Sequence, residues 1–301
     1  MKVAVGASSF AANSAKAVEL LESQGIEVIK NPFGRKLTQE EIIDHLQGAE
    51  GLLAGLEPLN EQVFCACPQL KAIARIGIGM DNVDLAAAKK YGIKVSNTPD
   101  GPTEAVAEMT AAALLCIAHQ IIPANQDIHE GRWKKRMGFS IQGKKVLLIG
   151  YGRIGQQTGK LLTGLGAQIL IYDKYNQTVS TCSLEEGLAC ADIISLHAAG
   201  KDLILSAQEL ALCKAGVVLL NSARGTLVDE DALYQALKEG KVSWYWGDAL
   251  WQEPYQGKLC DCPNAILTPH ISTYTARCRE SMETAAVQNL LEDLGCVSKR
   301  N

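Results

Sequence analysis

The run Val146-Leu147-Leu148-Ile149-Gly150-Tyr151-Gly152-Arg153-Ile154-Gly155 constrains this chain more than any other stretch. An apolar strand enters G-x-G-x-x-G, a helical segment from Arg153 to Leu165 follows, and Asp173 stands 18 residues beyond the last glycine. A strand that turns straight into a helix aims backbone N–H groups and the positive helix end at one point, as a pyrophosphate requires. The first glycine permits the tight turn, the second lets phosphate approach the backbone, and the third lets the helix pack closely on the strand. Asp173 closes a second apolar strand, Gln168 to Tyr172, where its carboxylate can accept both ribose hydroxyls and would repel a 2′-phosphate. Gly150, Gly152, Arg153, Ile154, Gly155 and Asp173 are therefore the candidate NAD-binding residues. A second glycine pair, Gly77-Ile78-Gly79-Met80-Asp81-Asn82, also follows a strand, but Asn82 replaces the third glycine and no acid ends the next strand at a comparable distance. It reads as a different backbone cradle.

The alternation of short apolar strands with helical patterns extends from end to end, which indicates βα units and parallel sheets. Strands are expected at 2–6, 26–29, 51–54, 71–74 and 93–96, with helices near 13–24, 38–47, 60–66 and 84–90. The segment Ser96-Asn97-Thr98-Pro99-Asp100-Gly101-Pro102 can continue neither a helix nor a central strand, so it marks a domain crossing. A long apolar helix then runs from Pro102 to about Ile121. Strands at 145–149, 168–172, 192–195, 216–220, 242–247 and 265–267 build the nucleotide sheet, whose C-terminal strand ends line the cofactor crevice. Tyr274 to Leu294 reads as one amphipathic helix that returns to the first domain. The expected architecture is α/β: two Rossmann-like domains with parallel sheets, a nucleotide-binding domain (99–274) inserted into a flavodoxin-like substrate domain (1–98 and 275–301).

With 301 residues, 47% hydrophobic and 21% charged, and a net charge of −4, the chain is long enough for two cores and lacks the basic surplus of a nucleic-acid binder. Met1-Lys2-Val3-Ala4-Val5-Gly6 enters a strand directly with no apolar leader, so a cytoplasmic location is expected. The longest apolar stretch, Met109 to Ala118, falls short of the roughly 18 to 20 residues that cross a bilayer, so no membrane partner is expected. Ten cysteines lie scattered through apolar segments and read as reduced thiols. The pairs Cys65/Cys67 and Cys260/Cys262 lack zinc spacing and histidine partners, and no metal is expected.

Asn221-Ser222-Ala223-Arg224-Gly225 directly follows the strand Val217 to Leu220, which sets Arg224 at a strand's carboxyl end. Glu253-Pro254 and Pro269-His270 come later, again near strand ends. Together with Ala74 to Asn82, Asn97-Thr98-Pro99, Val106-Ala107-Glu108, the glycine fingerprint, Asp248 and Thr268-Pro269-His270-Ile271, these pieces make the chain resemble the D-isomer-specific 2-hydroxyacid dehydrogenases over nearly its whole length. Within that family it is most similar to the phosphoglycerate-oxidising members, in a short form without a C-terminal regulatory domain.

The resemblance implies an NAD-dependent interconversion of a D-2-hydroxy acid and its 2-keto acid, with 3-phosphoglycerate/3-phosphohydroxypyruvate as first substrate pair and glyoxylate or hydroxypyruvate next. A non-catalytic NAD sensor on the same scaffold is the reading from another class. Reduction of a keto acid places charge on the carbonyl oxygen, so the site needs a fixed cation and a proton donor. Arg224 would grip the carboxylate and the polarised oxygen, His270 would act as acid in reduction and base in oxidation, and Glu253 would hold the imidazole. Ile78 and Gly79 would offer backbone N–H groups to the substrate carboxylate. Asp248 would face the nicotinamide carboxamide, and Ala223 would border the cofactor. His197 would either touch the cofactor or cap its strand end. A homodimer through the nucleotide-binding domain is implied as well.

Departures from the family pattern, among them the short Ala198-Ala199-Gly200-Lys201 stretch after His197 at the cofactor, and one basic run bear on substrate and pocket. Trp244-Tyr245-Trp246 occupies a strand where small residues are usual, and either reshapes the nicotinamide side or fills the core. Glu57, in Ala54-Gly55-Leu56-Glu57, would repel phosphate where the family carries an arginine. The basic run Arg132-Trp133-Lys134-Lys135-Arg136 is either a solvated face or, through Lys135 or Arg136, a phosphate contact reaching across a dimer.

Overall fold

The computed structural model describes residues 1–297; positions 298–301 of the expected substrate-domain segment lie outside the described residues. The chain forms two compact units, Met1–Pro102 with the chain from Tyr274 onward, and Thr103–Thr273.

In the first unit, β1 (Lys2–Val5), β2 (Glu27–Ile29), β3 (Gly51–Ala54), β4 (Ala72–Arg75) and β5 (Lys94–Asn97) make a wholly parallel sheet of order β2-β1-β3-β4-β5. That is the flavodoxin-like order, with its switch between β1 and β3. Strand β3 reads Gly-Leu-Leu-Ala and is buried throughout, as a strand covered on both faces must be. Helices α1 (Lys16–Glu22), α2 (Gln39–His45), α3 (Glu61–Ala66) and α4 (Leu85–Lys90) connect the strands. Thr38, Asn60 and Asp84 start three of them by accepting backbone N–H groups that the first turn leaves without partners. One core joins Leu46, Leu52, Leu59, Phe64 and Ile73 on one side of the sheet. Helix α11 (Ala276–Asp293) packs on α1, β3, β4 and β5, burying Met282, Ala286, Val287, Leu290 and Leu291.

The second unit holds β6 (Lys145–Ile149), β7 (Gln168–Tyr172), β8 (Ile193–Leu196), β9 (Val217–Asn221), β10 (Val242–Gly247) and β11 (Ala265–Leu267), all parallel, in the order β11-β10-β9-β8-β6-β7. The strand order reverses at β6/β8. Helices α7 (Arg153–Gly164), α8 (Leu184–Cys190), α9 (Ala207–Leu212) and α10 (Glu230–Lys238) provide the crossovers. Tyr245 and Trp246 are both fully buried and point into opposite cores, one with Leu147, Leu219 and Leu233, the other with Leu114, Leu148 and Leu220. Bulk in this strand is therefore core packing.

The expected single helix from Pro102 to Ile121 is two: α5 (Pro102–Ala118) and α6 (Ile121–His129), bent by 60°. Pro123 supplies the reason. In a continuous helix its ring would clash with the His119 carbonyl, whereas it is tolerated in the first turn of a new helix. Gln120 makes the break with φ 55, its side-chain amide donating to the Ile117 carbonyl at 2.9 Å. No single helix among the described residues is long and apolar enough to cross a membrane, and all ten cysteines are free thiols.

Candidate active site

The glycine fingerprint sits at the switch point of the second sheet. Gly150 leaves β6 with φ 92, and a Cβ there would run into the backbone of His197 and Ala198 from the neighbouring β8. A Cβ at Gly155 would collide with the Gly150 carbonyl, so α7 could not lie against the turn. Gly152 is different: a Cβ there would meet nothing within 4 Å. As N-cap of α7 it provides no side chain for the first-turn N–H groups, which leaves them for an anion. Arg153 and Ile154 form that first turn. The donor set fits a pyrophosphate.

Asp173, at the end of β7, accepts Tyr151 N at 2.8 Å through Oδ2 and Tyr175 N and Asn176 N, each at 2.9 Å, through Oδ1. Burial works against its charge, but these N–H groups hold its pKa below the ordinary aspartate value. One carboxylate thus fixes both the glycine turn and the β7 exit, a task the motif spacing alone does not reveal.

His197 directly follows β8 with both ring nitrogens engaged, Nε2 with Ser195 Oγ at 2.8 Å and Nδ1 with Ser222 Oγ at 3.2 Å. Burial pushes its pKa down to about 4, so the ring is neutral and ties the β8 end to the β9 loop. Ala223 N is held by Asn221 Oδ1 at 3.0 Å.

Arg224, Asp248 and His270 follow the carboxyl ends of β9, β10 and β11, three adjacent strands. Asn221 is fully buried and donates from Nδ2 to the Arg224 carbonyl at 2.8 Å, shaping the arginine's loop. Asp248, only 2% exposed, accepts Thr268 Oγ1 at 2.6 Å and Ile271 N at 2.9 Å with Oδ1, and Ser272 N at 2.9 Å with Oδ2. Its carbonyl accepts His270 N at 3.0 Å. The whole 268–272 turn is hung on this residue, and within it His270 adopts φ 53, a left-handed conformation that costs a non-glycine residue energy.

Turned this way, His270 meets Glu253 across 2.9 Å, Nδ1 to Oε1. Burial raises the Glu253 pKa, but the His270 hydrogen bond and charge outweigh it and the net shift is downward. With Nδ1–H committed to the carboxylate, Nε2 is the nitrogen that can exchange a proton with a ligand.

Ile78 and Gly79 lie in the first unit, in the turn after β4. Gly77 opens that turn with φ 134 and donates to Thr98 Oγ1 at 2.8 Å, while Asn97 Nδ2 donates to the Ile78 carbonyl at 2.8 Å. Asn82 Nδ2 donates to the Glu57 carbonyl at 2.7 Å, linking this turn to the loop after β3. The Glu57 side chain is fully buried at the β1/β3 switch, accepting Gly55 N at 2.9 and 3.1 Å, and burial raises its pKa. In the basic run after α6, Arg132 and Arg136 both turn inward to the buried Asp127, Arg136 Nε at 2.7 Å. Those guanidiniums, Arg136 foremost, lower the Asp127 pKa to about 2. Lys134 and Lys135 are exposed.

Residues 111–272 match the family model described as the NAD-binding domain of D-isomer-specific 2-hydroxyacid dehydrogenases. The chain is 35% identical over 274 residues to the hydroxypyruvate reductase of Blautia hydrogenotrophica, covering 85% of each. It is 34% identical over 282 residues to the D-3-phosphoglycerate dehydrogenase of Pongo abelii, covering 88% of this chain and 52% of that one, so it spans about half that relative's length. Among solved structures, the TT0316 protein of Thermus thermophilus superposes with a TM-score of 0.89 at 34% identity, over 98% of this chain and 97% of that one.

Proposed function

The chain belongs to the D-isomer-specific 2-hydroxyacid dehydrogenases, an NAD-binding family, and from this premise we propose that it reduces a small, unphosphorylated 2-keto acid, hydroxypyruvate or glyoxylate, to the D-2-hydroxy acid. The observation that carries the reading is the Glu253–His270 pair at 2.9 Å on a turn held in a strained conformation. A packing histidine has no need of either.

In this reading NADH, when bound, supplies the hydride that adds to the keto carbon. His270 gives its Nε2 proton to the carbonyl oxygen as that oxygen becomes an alcohol, while Glu253 holds the ring by Nδ1. In oxidation the same nitrogen takes the proton back. Arg224 holds the substrate carboxylate and the polarised oxygen with its planar fork, as a lysine point charge could not. Ile78 and Gly79 present backbone N–H groups to the carboxylate. Gly150, Gly152, Arg153, Ile154 and Gly155 cradle the pyrophosphate and Asp173 takes the ribose hydroxyls. Asp248 spends three of about four acceptor sites on the 268–272 turn, leaving about one for the carboxamide. His197 and Ala223 shape the cofactor's floor without titrating.

Two features favour an unphosphorylated substrate over a phosphate ester. Arg136 is already paired with Asp127, and position 57, whose backbone carbonyl is linked to the turn that carries Ile78 and Gly79, bears an acid rather than an arginine. A relative matching 85% of its own length is named for hydroxypyruvate. The test is NADH oxidation with hydroxypyruvate, glyoxylate and 3-phosphohydroxypyruvate as separate substrates. Turnover of hydroxypyruvate or glyoxylate with a higher kcat/KM than the phosphate ester supports the proposal. A preference for the phosphate ester overturns the substrate choice, and NADH binding without turnover of any 2-keto acid leaves an NAD sensor instead. A second copy of the chain is the proposed cover for Ile121, Ile122, Ile128, Trp133 and Met137, which are exposed on α6 and the segment after it.

A further inference from the structure

The Arg224 loop and the Glu253 loop leave neighbouring strands, and one side chain touches both. The Trp251 indole Nε1 donates to the Val228 carbonyl at 2.9 Å, four residues beyond Arg224. The Trp251 backbone nitrogen lies where a side chain on Gly225 would be, so only glycine lets the two loops close together. The same indole is the middle ring of three. Tyr245 lies 6.3 Å from it on the β10 side and Tyr255 lies 6.1 Å away on the other, at interplanar angles of 40° and 41°.

Each outer ring is fixed in turn. Tyr245 is fully buried, its ring packed in the core and its hydroxyl lying over Gly247. Tyr255 donates its hydroxyl proton to Glu230 Oε1 at 2.6 Å and accepts Leu259 N at 3.2 Å. In sequence Glu253 falls between Trp251 and Tyr255, in a stretch with no regular secondary structure. A loop of that kind keeps a carboxylate in register only if something rigid underlies it.

We infer that Trp251 is a positioning residue, a strut that fixes the distance between the arginine that grips substrate and the carboxylate that orients His270. The inference rests on the catalytic roles proposed above for Arg224, Glu253 and His270. The ring ladder supplies stiffness, and the indole N–H supplies a directional tie across the two loops.

The experiment compares the wild-type enzyme with Trp251→Phe, which keeps a ring and removes the N–H, and with Tyr255→Phe, which releases the far end of the ladder. Wild-type turnover of the preferred 2-keto acid is established first; absence of any turnover strikes the proposed function itself and not the strut. Given turnover, Trp251→Phe is expected to lower kcat/KM by about tenfold, the rate equivalent of one directional hydrogen bond. The loss should fall mainly on kcat, because a displaced Glu253 leaves His270 misdirected toward the carbonyl oxygen while substrate still binds. Tyr255→Phe should show the same change to a smaller extent, with NADH affinity unchanged in both variants. A drop in Tm alone, with kcat and KM as in the wild type, overturns the inference.

Discussion

Glu253 and His270 owe their meeting to a third residue that takes no proton. Asp248 anchors the turn in which His270 is forced to φ 53, so the imidazole's direction is decided before substrate arrives. His270→Ala should therefore lower kcat by about 10² to 10⁴, the usual yield of one general acid, while NADH affinity by fluorescence titration stays close to wild type. A large loss of NADH binding would assign the residue to structure instead. Asp173→Ala should weaken NADH binding and raise the ratio of NADPH to NADH turnover. Because the same carboxylate holds Tyr151 N, the affinity loss should exceed that of Asp173→Asn, which keeps one acceptor. His197 yields a pH prediction. Its folded-state pKa of about 4 lies below the value of 6.5 for a free imidazole, so between those limits the unfolded chain binds a proton that the folded one does not. Stability should fall as pH drops from 6.5 toward 4, and His197→Gln should flatten that slope in urea midpoints taken across the range.

Helix α6 and the strandless segment behind it turn on Asp127. Removing the arginines would leave the Asp127 carboxylate buried without a cation, which is strongly destabilising, whereas the two guanidiniums reach water themselves. Its depressed pKa means the contribution is complete above 3.8 and is lost as pH falls through about 2. Asp127→Asn should accordingly loosen the 130–140 segment, seen as faster proteolysis there, without altering NADH binding. If α6 and this segment meet a second copy, Trp133→Glu should convert the protein to a monomer by light scattering; a wild type that is already monomeric rejects the interface. At this scale the chain was only partly legible. Strand positions could be read because parallel strands buried on both faces are continuous apolar runs, as in Gly51–Ala54 and Lys145–Ile149. The break at Gln120 was not, since the apolar pattern runs through it and only Pro123 signals the new start.

Across the whole molecule the candidate site residues were legible as motifs, while their supports were not. Arg224 and His270 stand at strand ends next to recognisable partners, whereas Asp248's three hydrogen bonds and the Trp251 tie to Val228 join segments far apart in sequence. A pattern with period 2 or 3.6 carries no information about such pairs. The second unit is one continuous stretch, Thr103–Thr273, with both its cores inside it. Expressed alone, that stretch should fold cooperatively and bind NADH, yet turn over no keto acid because Ile78 and Gly79 lie outside it. Failure to fold would show that the unit needs the rest of the chain. The first unit has the opposite character. Its β3, β4 and β5 are covered by α11, whose residues follow the entire second unit in sequence. On the ribosome, the early strands emerge long before the helix that shields them, so Leu290 and its neighbours arrive last to an apolar sheet face that has been waiting through the synthesis of everything between. That interval is when the nascent chain is most exposed to aggregation and most dependent on chaperones.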